Sequence, residues 1–145
     1  MYRELLREQI KKVDWAKLQD PCPENDLAQA EKVVGYTFPD DLKALLRETN
    51  GDNWFLLSAK EMIENVERNR TILSQCFEPD EYLEKVDRYL FFATNGCGDY
   101  YCYRVSPNGK VDASAIYLWE HEEFEAHYVA KDIKDAIIKY YNDEI

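Results

Sequence analysis

Positive charge is what this sequence is short of: 18 Lys and Arg stand against 29 Asp and Glu, a net charge of −11. A chain this acidic is repelled by phosphate backbones, which argues against direct binding to nucleic acid. Long hydrophobic runs are missing as well, and no stretch approaches the roughly 18 apolar residues that a membrane-spanning helix requires. The opening Met1-Tyr2-Arg3-Glu4-Leu5-Leu6-Arg7-Glu8 interleaves charge with apolar residues and lacks the core of a signal peptide. The expectation is a cytoplasmic protein. There is no internal repeat, no low-complexity tract and no stretch resembling a linker, so one domain over residues 1–145 is expected.

Four cysteines (Cys22, Cys76, Cys97 and Cys102) do not make a secreted disulfide framework, and in a reducing compartment they are expected as free thiols. A Cys97–Cys102 bridge is the one pairing the hairpin described below would allow. Aromatic residues, by contrast, are plentiful: 11 Tyr, 6 Phe and 3 Trp within a hydrophobic fraction of 46% mark a globular chain. The acidity is unevenly spread. Residues 1–20 carry five basic and four acidic side chains, whereas residues 76–145 carry seven and fifteen.

Periodicity predicts an amphipathic helix over 2–18 through Leu6, Ile10 and Val13, broken by Asp20-Pro21-Cys22-Pro23. A second helix runs from Glu24 to Gly35, a suitable residue just past a helix end. Phe38-Pro39-Asp40-Asp41 opens a third, with Leu42, Leu45 and Leu46 on its inner face and Asn50-Gly51 ending it. Trp54-Phe55-Leu56-Leu57 reads as a buried strand, and Ser58-Ala59-Lys60-Glu61 as a capping box starting a helix that ends between Asn69 and Ser74. The segment 75–87 is ambiguous between loop and short helix.

Residues 88–94 and 99–105 form a β-hairpin across Asn95-Gly96-Cys97-Gly98. Tyr101, Tyr103 and Val105 share one face of its second strand, with Tyr100, Cys102 and Arg104 on the other. After the turn signal Pro107-Asn108-Gly109, residues 115–119 supply a third strand of an antiparallel meander. A closing helix follows over 132–141. The fold class is therefore α+β, a meander sheet packed with N-terminal helices and a C-terminal helix.

Candidate chemistry concentrates in two places. Cys97 lies between two glycines and next to Asp99, but no Lys or Arg adjoins it, and activated cysteines need an electropositive setting. Positive φ at Gly96 and Gly98, with Asp99 capping the loop backbone, gives the same residues a structural role. His121 and His127 fall near Glu120, Glu122, Glu123 and Glu125. They miss the His-Glu-x-x-His spacing, and with Cys97 and Cys102 they match no finger or ribbon. No cofactor or metal is expected. The four glutamates are a solvated edge, a pair for acid chemistry in a pocket, or a patch for a basic partner. With Tyr100 they are the residues nominated for partner binding.

Glu31, Gly35, Phe38-Pro39-x-Asp41-Leu42, Leu45-Leu46 and Asn50-Gly51, taken in order, resemble the N-terminal signature of the SUKH superfamily in its Smi/Knr branch. Gly96-Cys97-Gly98-Asp99-x-Tyr101 is similar to that family's Gly-x-Gly-Asp strand. Ile116-Tyr117-Leu118-Trp119-Glu120-His121-Glu122 is similar to its Val-x-x-Trp-x-His-Glu strand. The likeness spans about residues 24–142, with Phe38 in place of the usual leucine and Asp52 where a second glycine is usual. It implies a non-enzymatic binding domain in which Glu31, Gly35, Pro39, Asn50, Gly51, Gly96, Gly98, Asp99 and Trp119 are structural. It also implies, for bacterial members, an immunity protein that neutralises a polymorphic toxin, often a basic nuclease. The alternatives are a general interaction module of the same fold and an enzyme built on Cys97 or the glutamates.

Overall fold

In the computed structural model, which describes residues 1–82 and 86–145, the chain opens with α1 (Tyr2–Gln9) and a 3-10 turn over Ile10–Lys12. The expected helix to residue 18 stops there, and Val13 is extended at φ −135° and ψ 144°. A distant partner takes over the backbone beyond it. The Lys17 N–H donates to the Asp52 carbonyl (2.7 Å) and the Gln19 N–H to Thr49 Oγ1 (3.1 Å). The Asp20 carbonyl in turn accepts from the Asn50 N–H (2.9 Å). These bonds replace those a longer helix would make, and they hold residues 17–20 against the loop 49–52.

Helix α2 (Glu24–Val34) buries Leu27, Ala30 and Val34 and closes at Gly35 in the left-handed region. Helix α3 (Asp40–Glu48) has Pro39 as its N-cap and turns Leu42, Leu45 and Leu46 inward. After it, Gly51 stands so close to the chain ahead that a Cβ would meet the Leu56 carbonyl oxygen and the Ser58 nitrogen at 2.9 Å. No larger residue fits there. The predicted strand 54–57 is reduced to a single bridge, Leu56 opposite Ala93. Its bonds, Leu57 N–H to Phe92 O (3.0 Å) and Thr94 N–H to Phe55 O (2.9 Å), shield the outer edge of the sheet. The capping box is present: Ser58 Oγ accepts from the Glu61 N–H (3.1 Å) and Glu61 Oε1 from the Ser58 N–H (3.0 Å). Helix α4 (Ala59–Ser74) follows, then the short α5 (Pro79–Tyr82). Of the ambiguous segment 75–87, residues 83–85 lie outside the described residues.

The sheet is an antiparallel meander of β1 (Tyr89–Thr94), β2 (Tyr100–Val105), β3 (Val111–Glu120) and β4 (Glu125–Ala130), in the order 1-2-3-4. Strand β4 extends the expected three-stranded meander at its edge. Of its residues only Ala130 is buried, so it lacks the apolar alternation that announces a half-buried strand. Helix α6 (Ile133–Tyr141) closes the fold, its first turn capped by Asp132, whose side chain accepts from the Asp135 N–H (2.8 Å).

Both faces of the sheet are covered at its centre. Leu6, Leu27, Phe38, Leu42, Leu45 and Leu46 from the helices meet Phe92, Tyr101, Tyr103 and Ile116 in the main core, with Ile133 and Ile137 of α6. On the opposite face Val86, Phe91, Cys102 and Trp119 form a second, smaller cluster under half-buried Tyr100, Tyr117 and Phe124. Among the described residues no helix is long and apolar enough to cross a membrane.

Candidate partner-binding surface

The strand register brings two turns to one end of the sheet. Thr94 pairs with Tyr100, Tyr100 with Trp119, and Glu120 with Glu125, so the loops 95–99 and 121–124 project side by side. In the first, Gly96 and Gly98 both have positive φ (79° and 94°). Its backbone is capped by Thr94 Oγ1, which accepts from the Gly96 N–H (3.0 Å), and by Asn95 Oδ1, which accepts from the Cys97 N–H (2.9 Å).

Asp99, expected to cap that loop, instead reaches across to the neighbouring turn. Its Oδ1 accepts from the His121 N–H (3.0 Å) and lies 2.7 Å from His121 Nδ1, while Oδ2 accepts from Asn95 Nδ2 (3.2 Å). A Cβ on Gly98 would sit 3.1 Å from the same Nδ1, so the imidazole occupies the space a side chain would take. Burial draws the Asp99 carboxyl upward, but the bonds from the His121 ring and N–H and from Asn95 outweigh it and hold it below the usual range. The hydrogen bond to Asp99 raises the His121 imidazole above its ordinary value. The pair clamps the two turns together.

On this clamp stand the nominated acids. Glu122, Glu123 and Glu125 are exposed and Glu120 is half-buried. The turn that carries them is seated by Phe124, at positive φ (55°), whose ring meets Trp119 at 5.8 Å and Phe77 at 5.4 Å edge-on. Trp119 itself is buried in the second cluster. Tyr100 is half-buried and stacks on Phe91 at 5.0 Å, so only part of it faces outward.

Cys97, Asp99, Glu120, His121, Glu122 and Glu123 line one open hollow of about 450 Å³. Thiol, imidazole and carboxylates do meet there, yet the charges around the thiol are four carboxylates and a single imidazole. That is the opposite of the setting that activates a cysteine. Cys102 is elsewhere, buried in the second cluster, where desolvation pushes its thiol up; all four cysteines are free. For a cation, Glu120, Glu123 and His127 offer ligand atoms within 4.8 Å of one another on exposed or half-buried side chains, with His127 Nε2 3.4 Å from Glu120 Oε2. The zinc set of Cys97, Cys102, His121 and His127 is not brought together: Cys102 is buried while the other three are exposed.

The remaining signature residues hold the helical half in place. Glu31 Oε2 accepts from the Phe38 N–H (2.8 Å) across the Gly35 turn, ahead of Pro39 at the N-cap of α3, and Asn50 Oδ1 accepts from the Ala59 N–H (2.9 Å) beside Gly51.

Two features at the same end of the sheet escaped the sequence. Asp52 is fully buried; its Oδ1 accepts from the N–H groups of Trp54 (3.0 Å), Phe55 (2.8 Å) and Leu56 (2.8 Å), and its Oδ2 from the Tyr141 hydroxyl (2.5 Å). Burial raises the Asp52 carboxyl despite these bonds, and it raises the Tyr141 phenol with it. The turn that Asp52 builds presents Trp54, 41% exposed, against Trp15, 57% exposed, with ring centroids 5.0 Å apart. Lys12, Val13, Trp15, Trp54, Tyr140, Tyr141, Asp143 and Ile145 line a cavity of about 250 Å³ beside them. Three segments far apart in sequence assemble this feature, so no local pattern announces it.

No curated protein matches the sequence. The model of the SMI1 / KNR4 family (SUKH-1) matches residues 21–139, which include every signature residue just placed. The chain belongs to the SMI1 / KNR4 family (SUKH-1).

Proposed function

We propose that this protein is an immunity protein, a non-catalytic single domain that binds a cognate toxin in the cytoplasm and neutralises it by occlusion. The reading extends to the toxin's class, a basic nuclease-type domain. Membership of the family supports the binding role, and one observation carries the direction of binding. Glu120, Glu122, Glu123 and Glu125 are displayed on a turn fixed by the Asp99–His121 clamp and the Phe124–Trp119 contact. Acidic groups held on a rigid element steer a basic partner and penalise acidic ones without first having to be ordered. A nuclease domain is basic for the reason any nucleic-acid binder is.

Co-purification with the product of the adjacent upstream gene, at low and high salt, tests the reading. Binding that weakens as salt rises is expected, and no binding to any neighbouring product at low salt would count against it. Cys97→Ser and Glu122→Gln address catalysis. Neutralisation retained in both is expected of an occluding protein and lost in an enzyme.

A further inference from the structure

We propose that Asn108 is a site of spontaneous deamidation in the folded protein, and that Asp99 spares Asn95, its counterpart at the acidic end of the sheet. The inference does not depend on what the protein binds. The chain holds three Asn-Gly pairs, Asn50-Gly51, Asn95-Gly96 and Asn108-Gly109, each with its glycine at positive φ (85°, 79° and 83°). Glycine has no Cβ to hinder approach, so its backbone nitrogen can reach the asparagine side chain before it. That nitrogen loses its proton and attacks Cγ, and the former Nδ2 leaves as ammonia while a succinimide ring closes. Water then opens the ring at either carbonyl to give aspartate or isoaspartate; one water is consumed and one ammonia released.

Packing excludes Asn50. Its Oδ1 accepts from the Ala59 N–H (2.9 Å), its own N–H donates to the Asp20 carbonyl (2.9 Å), and Gly51 is buried. The Leu56 oxygen and Ser58 nitrogen stand 2.9 Å from where a Gly51 Cβ would be, which leaves no room for the ring.

The other two pairs match in all but their surroundings. In each, the asparagine Oδ1 accepts from the N–H two residues ahead, that of Cys97 (2.9 Å) or Lys110 (3.0 Å). In each, the glycine N–H is engaged too, Gly96 with Thr94 Oγ1 (3.0 Å) and Gly109 with the Ser106 carbonyl (2.8 Å). The difference is Asp99. Asn95 is half-buried, and its Nδ2 donates to Asp99 Oδ2 (3.2 Å), on the carboxylate that His121 holds through Oδ1. Ring closure must break that bond and build negative charge on the Gly96 nitrogen and Asn95 Oδ1 beside a carboxylate, which opposes it. Asn108 is exposed, and its Nδ2 has no hydrogen-bond partner among the described residues. Lys110, an exposed cation directly after Gly109, favours the same developing charge. The consequences differ as well. A carboxylate at residue 108 falls at the opposite end of the meander from the acidic turn, whereas one at residue 95 would stand against Asp99 and undo the clamp.

The test incubates the intact folded protein in mildly alkaline ¹⁸O-labelled water and follows the three sites by peptide mass mapping. The same incubation in urea gives the reference rate at each site, by which the folded rate is divided. In the folded protein Asn108 is expected to become a mixture of aspartate and isoaspartate. Asn95 is expected to convert roughly tenfold more slowly, the factor a well-made hydrogen bond is worth, and Asn50 to stay intact. Asp99→Ala is expected to speed Asn95 several-fold and leave Asn108 unchanged, with intact Asn50 as the sign that the variant is folded. Should Asn50 convert in Asp99→Ala, the same readout on Asp99→Asn decides, since asparagine keeps an acceptor for Asn95 Nδ2 while removing the charge. Asn108 intact, equal conversion of Asn108 and either other site, or an Asn95 rate unmoved in the folded variant would overturn the proposal.

Discussion

Asp52 and Asp99 each hold a loop at the same end of the sheet, but in opposite surroundings. Asp52 is sealed, gathers three backbone N–H groups and a tyrosine hydroxyl, and has its carboxyl raised by burial. Asp99 is partly wet, faces a histidine, and is lowered by the bonds it receives. The difference shows that hydrogen bonds alone do not set the sign of a carboxyl's shift. Desolvation outweighs four bonds to neutral donors in one case and loses to a chargeable partner in the other. It also separates the two loops by purpose: the first builds a platform, the second stiffens an acidic display.

The largest effect on either loop is expected from Asp52→Ala. The buried N–H groups of Phe55 and Leu56, the half-buried one of Trp54 and the buried Tyr141 hydroxyl lose their acceptor at about 1–3 kcal/mol for each buried group, partly relieved by water, so a loss of roughly 3–5 kcal/mol is expected in chemical denaturation. Asp52→Asn keeps an acceptor for the N–H groups and can donate to Tyr141, and a change within about 1 kcal/mol is expected at pH 7.

The two aspartates should also respond to pH with opposite slopes. The folded carboxyl of Asp52 is raised, so its contribution is complete below the unfolded value, about 3.9, and is lost as pH rises through the folded one. Asp99 is lowered, so its contribution is present above about 3.9 and is lost as pH falls through the folded value. Relative to the parent, Asp52→Asn should therefore gain stability as pH rises above about 4, while Asp99→Asn should lose it as pH rises toward about 4 from below. Parallel slopes would refute the contrast. More finely, His121 should titrate above the free value of about 6.5 and fall back toward it in Asp99→Asn, read by NMR. Its ion pair with Asp99 is complete below about 6.5 and is lost as pH rises through the folded value. Smallest of all, Glu122→Lys should change stability by no more than about 0.5 kcal/mol while slowing association with a basic partner.

What the sequence discloses divides along similar lines. The capping box at Ser58–Glu61, the stop at Gly35, the Asn-Gly-x-Gly hairpin and the last helix are written in neighbouring residues, and the fold class follows from them. The early end of α1 and the reduction of 54–57 to one bridge depend on bonds to residues some 30 to 40 positions away, which no local period contains. Strand β4 hides because an edge strand with one buried residue has no apolar alternation to show. The acidic turn is visible as a run of glutamates. The clamp beneath it is not, because Asp99 satisfies its own loop and the neighbouring one equally well on paper. The Asp52 platform is the extreme case, since Trp15, Trp54 and Tyr140 meet only in the folded chain.

On the proposed function, position and not merely net charge directs binding. The most direct test of this compares Glu122→Lys/Glu123→Lys with Glu64→Lys/Glu67→Lys, an equal reversal on the exposed face of α4, for binding to the neighbouring-gene product at low salt. Strong weakening in the turn variant with near-parental binding in the helix variant is expected. Equal weakening in both would contradict the claim.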